Sequence, residues 1–128
     1  MQAGREIKFR GKSIETGEWV HGCYSYLKSP LSETLVHYII KDGFTPVEVD
    51  PDTVGQFTGL CDTNSNEIYT GDVVHVEHDD GVWIDSIVFR NGCYELNEES
   101  DDLFYVLHDQ SVSVVGNVYD NPDFLPAV

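Results

Sequence analysis

The sequence predicts an all-β protein with little helix, on three observations. Apolar residues fall in short or alternating runs, the runs are rich in β-branched and aromatic side chains, and Gly, Asn, Asp and Pro punctuate them. Helical periodicity is nearly absent. At 128 residues the chain fits one domain that can bury a core without metals or disulfides. Two lobes are expected within it, a β-rich N-terminal lobe over about residues 1–60 and a small barrel of SH3 type over 61–128.

The first hairpin follows from "REIKFRGK", which sets Ile7 and Phe9 on one face and Glu6, Lys8 and Arg10 on the other. Gly17 in "ETG" allows the turn, and "EWVHGCYSYL" (18–27) returns as the second strand. "ETLVHYIIK" (33–41) and "FTPVEVD" form a second pair across "KDG". The stretch after Asp50 reads as an ordered connector with one helical turn begun by Asp50 and Pro51, and 61–67 as a plain turn. Five strands are then expected at 72–78, 81–90, 92–97, 103–108 and 111–119. Trp19 and Trp83, one per lobe, are the expected core anchors.

Between the connector and the first of those strands stands Gly71-Asp72. Glycine permits a sharp bend there, and Asp72 is expected to cap it through backbone amides while its carboxylate stays solvated at the barrel rim. The closing "DNPDFLPAV" offers Phe124 and Leu125 as an apolar plug into the chain's own barrel, with docking into another subunit as the alternative. Exposed strand edges favour a homo-oligomer.

Charge is the extreme feature. The net charge is −16, yet residues 1–12 hold Arg5, Lys8, Arg10 and Lys12 against Glu6, and only Lys28, Lys41 and Arg90 follow. So acidic a field repels phosphates, so direct nucleic-acid binding is not expected, even though Tyr24, Tyr26, Trp83 and Tyr94 are rings of the kind that stack bases. Three roles for the acids remain open. They solubilise, they imitate a nucleic-acid backbone through Asp79-Asp80 and Glu98-Glu99 with Asp101-Asp102, or they receive the basic N-terminus of a neighbouring subunit.

Catalytic patterns are wanting. "RGKS" (10–13) would need glycine where Glu6 stands to be a phosphate loop. "HVEH" puts His75 and Glu77 on one strand face with His78 opposite, and two ligands do not make a metal site. No nucleophile elbow or cysteine signature is present, so Cys23, Cys61 and Cys93 read as reduced, packed apolar fillers. No cofactor and no enzymatic activity is expected. With no membrane-length apolar run and no apolar region behind the basic start, membrane association is not expected and a cytoplasmic place is.

The blocks "REIKFRGKSIETGEWVHG", "VDPDTVGQFTGLCDTNSNEIYTGDVV", "IVFRNGCYEL" and "VVGNVYDNPDFL" resemble, in order and over nearly the whole chain, the YopX family of phage and prophage proteins. The resemblance implies a mostly β protein with a barrel-like C-terminal lobe, made in a bacterial host cell, and it supplies no catalytic residues. The expected function is a non-enzymatic protein–protein interaction or assembly module whose partner is another copy of itself or another phage or host protein. The alternative is an acidic inhibitor that occupies the nucleic-acid site of a host DNA- or RNA-binding protein.

Overall fold

Period-two patterning builds nearly every element of the computed structural model, which describes residues 6–126. Arg5 and the residues before it lie outside that range. The chain divides into two units at Phe57 and Thr58, and strands dominate both.

In the first unit, β1 (Phe9–Lys12), β2 (Trp19–Lys28), β3 (Leu35–Lys41) and β4 (Thr45–Glu48) pair antiparallel in sequence order, and β5 (Gly55–Cys61) adds to the free edge of β1. Both expected hairpins form. Phe9 pairs with Gly22 and Lys12 with Trp19, while Ile39 pairs with Val47. Gly22 is required where it stands, because a Cβ on its backbone would collide with the Ile40 carbonyl oxygen. Ile39 and Val49 are fully buried and Phe57 nearly so. Trp19 is only half-buried, a correction to its expected role as a core anchor. It lies under the Arg10 guanidinium at 4.7 Å and the Lys12 ammonium at 5.7 Å, so its ring packs on cations.

The helical turn expected after Asp50 forms as a 3-10 turn, Pro51–Thr53, with the Asp50 carboxylate accepting from the Asp52 amide at 3.0 Å. The rest of that connector is corrected to β5. Its Gly55 and Phe57 alternate inward, and Gln56 finds a partner in Phe9, so pairing overrides the weak strand propensity of two glycines.

The second unit contains the distal half of β5, β6 (Glu67–Tyr69), β7 (Asp72–His78), β8 (Gly81–Arg90), β9 (Cys93–Leu96), helix α1 (Leu103–Asp109) and β10 (Ser111–Asn117). Four of these strands form an antiparallel sheet in the order β10-β7-β8-β9. The all-β class holds, but the strand expected at 103–108 is α1, so five consecutive strands of an SH3-type barrel are not what forms. A short apolar run has no diagnostic period, and here Asp102 decides it by accepting the Phe104 amide at 2.9 Å as N-cap. Helical spacing then turns Leu103 and Val106 into a core of Ile68, Val74, Val76, Ile87, Leu96 and Val112, leaving Phe104 and Tyr105 exposed. That core is aliphatic. Trp83 packs at its margin, which corrects the second expected anchor, and its indole N–H is buried without an acceptor.

Gly71 makes the expected bend at φ +90°, and a Cβ there would sit 3.1 Å from the Tyr119 ring. Asp72 caps it as expected, accepting the Tyr69 amide at 2.7 Å, but the carboxylate is 1% exposed rather than solvated. Pairing of β7 between β8 and β10 draws the side chain in. The turn at 62–66 does more than reverse the chain. Asp62 accepts from the Asn64 and Asn66 amides and from Val114 at 2.8 Å, and Thr63 exchanges two bonds with Val112, which covers the outer edge of β10. Cys23, Cys61 and Cys93 are free as expected but exposed, not packed, since each stands at an outward position of its strand.

Candidate functional site

The loop from β9 to α1 carries the acidic cluster, and it is pinned from two sides. Asp85, in the middle of the apolar strand β8, is 1% exposed. Its carboxylate accepts the amides of Ser86 at 2.8 Å, Glu98 at 3.0 Å and Glu99 at 3.1 Å. Arg90, at the end of the same strand, donates through Nε to Glu95 at 2.7 Å and through Nη2 to the Asn97 carbonyl at 2.7 Å, with further bonds to the Asn97 side chain and Ser100 Oγ. Backbone bonds from Leu96 to the Asp101 carbonyl and from Ser100 to the Leu96 carbonyl close the loop on itself. Ser100 pays the conformational cost with φ +58°.

The fixed backbone leaves Glu98, Glu99 and Asp101 pointing their charge at solvent. Asp102 differs from its neighbours, because capping α1 and bridging to Glu95 engage it structurally. Of the four acids singled out in the sequence, three therefore present a charged face and the fourth holds the helix.

The second predicted segment comes to the same place. Chain 117–125 folds through the Asn117 and Asn121 side chains into a 3-10 turn, Pro122–Phe124, and brings Asp123, Phe124 and Leu125 beside β8. Phe124 is 44% exposed and Leu125 half-buried, so the segment does not plug a barrel. The core of this unit is filled by Ile68, Val74, Val76, Ile87, Leu96, Leu103, Val106 and Val112. The segment instead walls an open groove of about 690 Å³ with Trp83, Ile84 and the acids Glu98 and Glu99. Glu98-Glu99 and Phe124-Leu125, distant in sequence, thus meet around one apolar, acid-rimmed groove.

Other candidates separate. His75 reaches the groove, Glu77 is exposed, and His78 faces Asp80 at 3.8 Å. Among the described residues no three His, Cys, Asp or Glu side chains converge to hold a metal ion. In the first unit Tyr24, Tyr26, Phe9 and His37 cluster, with the Tyr24 hydroxyl 2.6 Å from His37 Nδ1, and burial together with the neighbouring Tyr26 pushes the Tyr24 phenol up. The basic stretch is engaged at home: Lys8 pairs with Glu6 at 2.7 Å and lies over Phe57, and Arg10 and Lys12 cover Trp19. Among the described residues no helix is long and apolar enough to cross a membrane.

Sequence reasoning missed the two residues that shape the site. An aspartate inside "VWIDSIVFR" was the available signal for Asp85, since a carboxylate at a core-facing strand position must have amides to serve. Arg90, one of the few cations after position 12, was the signal for the other clamp.

A family model described as YopX protein matches residues 8–126. The crystal structure of protein EF1440 from Enterococcus faecalis shares the fold, with a TM-score of 0.61 at 23% sequence identity, over 96% of this chain and 100% of that one. No curated protein matches the chain.

Proposed function

The chain belongs to the YopX protein family, and from that premise we propose that it is a non-enzymatic interaction module of phage or prophage origin, acting in the host cytoplasm through the acidic loop of its second unit. One observation carries the reading: the loop's outward carboxylates stand on a backbone fixed by a buried carboxylate and a guanidinium. Acids that serve solubility alone need no such support. Desolvating Asp85 costs several kcal/mol before its hydrogen bonds repay it, by the magnitude typical of buried ions. Holding acids in one geometry lowers the entropy lost when a cationic partner docks, and it steers encounter.

The partner favoured here is another protein rather than a second copy. Among the described cations, Lys8, Arg10 and Lys12 are occupied within the first unit, Lys28 pairs with Glu33 at 2.8 Å and Arg90 clamps its own loop, which leaves the exposed Lys41 as the one to offer a second copy's acids. The mimic of a nucleic-acid backbone is a special case of this reading, in which the partner's cationic surface is a phosphate-binding groove.

The test is capture from host lysate by the tagged chain and by an E98Q/E99Q/D101N variant, at low and at high salt, followed by repeat binding with the purified partner. Capture that falls with salt and with the variant supports the reading. A nucleic-acid-binding partner selects the mimic, a concentration-dependent native mass of the chain alone selects self-assembly, and capture indifferent to the three acids overturns the acidic face.

A further inference from the structure

We infer that the groove beside the acidic loop receives an extended segment of the partner protein in which an apolar side chain is flanked by lysine or arginine. The inference rests on the interaction reading above and names what that site would take. Three observations support it. The groove is apolar where it is open: Val82 is 56% exposed and Phe124 44%, and they stand with Trp83, Ile84 and Leu125 around one depression. Its exposed carboxylates are those of Glu98, Glu99 and Asp123, from two separate segments, and the buried Asp85 of β8 and His75 of β7 also line it. An apolar side chain seated in the depression therefore places its neighbours in the chain within reach of acids. Its volume, about 690 Å³, suits a few side chains rather than a whole domain.

The sheet itself argues for recognition by side chains. A partner strand could add to a free edge, but the outer edge of β10 is bonded to Asp62 and Thr63, and β9 is bonded to the loop at Asp101 and Asp102. A phosphate backbone or an anionic membrane meets like charge at this rim. A basic and apolar segment meets opposite charge and an apolar seat together.

Fluorescence anisotropy of the full chain with three labelled peptides of equal length tests this: alternating lysine and leucine, alternating lysine and glycine, and alternating glutamate and leucine. At about 0.1 M salt, where the Debye length is about 10 Å, the lysine–leucine probe should bind at least about tenfold more tightly than either control. Val82→Ser and Leu125→Ala should each cut its affinity several-fold towards that of the lysine–glycine probe, and E98Q/E99Q should weaken it by about tenfold. Equal binding of the lysine–leucine and lysine–glycine probes, indifference to Val82→Ser and Leu125→Ala, or no binding of any probe would overturn the groove as the seat. Protein capture that still depended on Glu98 and Glu99 would leave the interaction reading standing; loss of that dependence would sink both.

Discussion

Both oxygens of the buried Asp85 carboxylate stand 3.0 Å from the amide of Glu98, so an acid that no solvent reaches fixes the backbone of an acid that faces outward. Burial of one charge thereby orders the display of others. The arrangement makes Asp85 a positioning residue for the face formed by Glu98, Glu99 and Asp101.

Asp85→Asn should lower stability by about 1–3 kcal/mol, because its NH₂ group replaces an acceptor and leaves a part-buried amide of Glu98 or Glu99 unpaired. Urea unfolding gives the magnitude. Amide exchange should speed up at Glu98 and Glu99 while the core amides of β7 keep their protection at matched stability. Unchanged exchange in the loop would show that Asp85 does not hold it.

Gly71→Ala should cost about 1–3 kcal/mol, since alanine at φ +90° is strained and its Cβ would meet the Tyr119 ring at 3.1 Å. Gly59→Ala is the matched control for the ring contact, with φ +83° and open space around the added Cβ. The difference between the two midpoints measures the contact, and equal losses would assign the whole cost to the backbone.

Trp83→Phe should cost less than the usual truncation of a packed aromatic, under about 1 kcal/mol, because the lost indole N–H is a buried donor with no acceptor and its removal relieves a desolvation penalty. Thermal unfolding of the variant decides it. A loss of several kcal/mol would mean that the ring volume outweighs the orphan donor.

Acid should unfold the chain partly through Asp62. Burial raises that carboxyl, but the amides of Val114, Asn66 and Asn64 and the Asn66 side chain outweigh it, and the folded value lies below the ordinary 3.8. A depressed folded value gives stability that is present above the unfolded pKa and disappears as pH falls through the folded one. The stability gap between the wild type and Asp62→Asn should be constant near neutral pH and shrink below about pH 4. A gap that grew on acidification would reverse the sign.

Much of this fold was legible because period-two patterning is a local signal: the hairpins 9–28 and 35–48 and the pair β7–β8 follow from alternation and turn residues alone. What failed was context. "LFYVLH" has no period that separates strand from helix, and the Asp102 cap settled it; "GQFTGLC" became a strand because β1 offered an edge. Glu98 and Glu99 stand out by charge and Phe124 and Leu125 as an apolar pair after a polar turn, while the groove they share depends on a long-range return of chain 117–125 that no local pattern encodes. The clamps Asp85 and Arg90 were readable only as oddities of charge in an apolar strand.

The most direct measurement is the affinity of the captured, purified partner for the wild-type chain and for E98Q/E99Q/D101N, titrated side by side at about 0.1 M and about 0.5 M salt. An affinity reduced by about tenfold or more in the variant, with the difference narrowing at high salt, is the expected result. Equal affinities at both salts would contradict the acidic loop as the binding face.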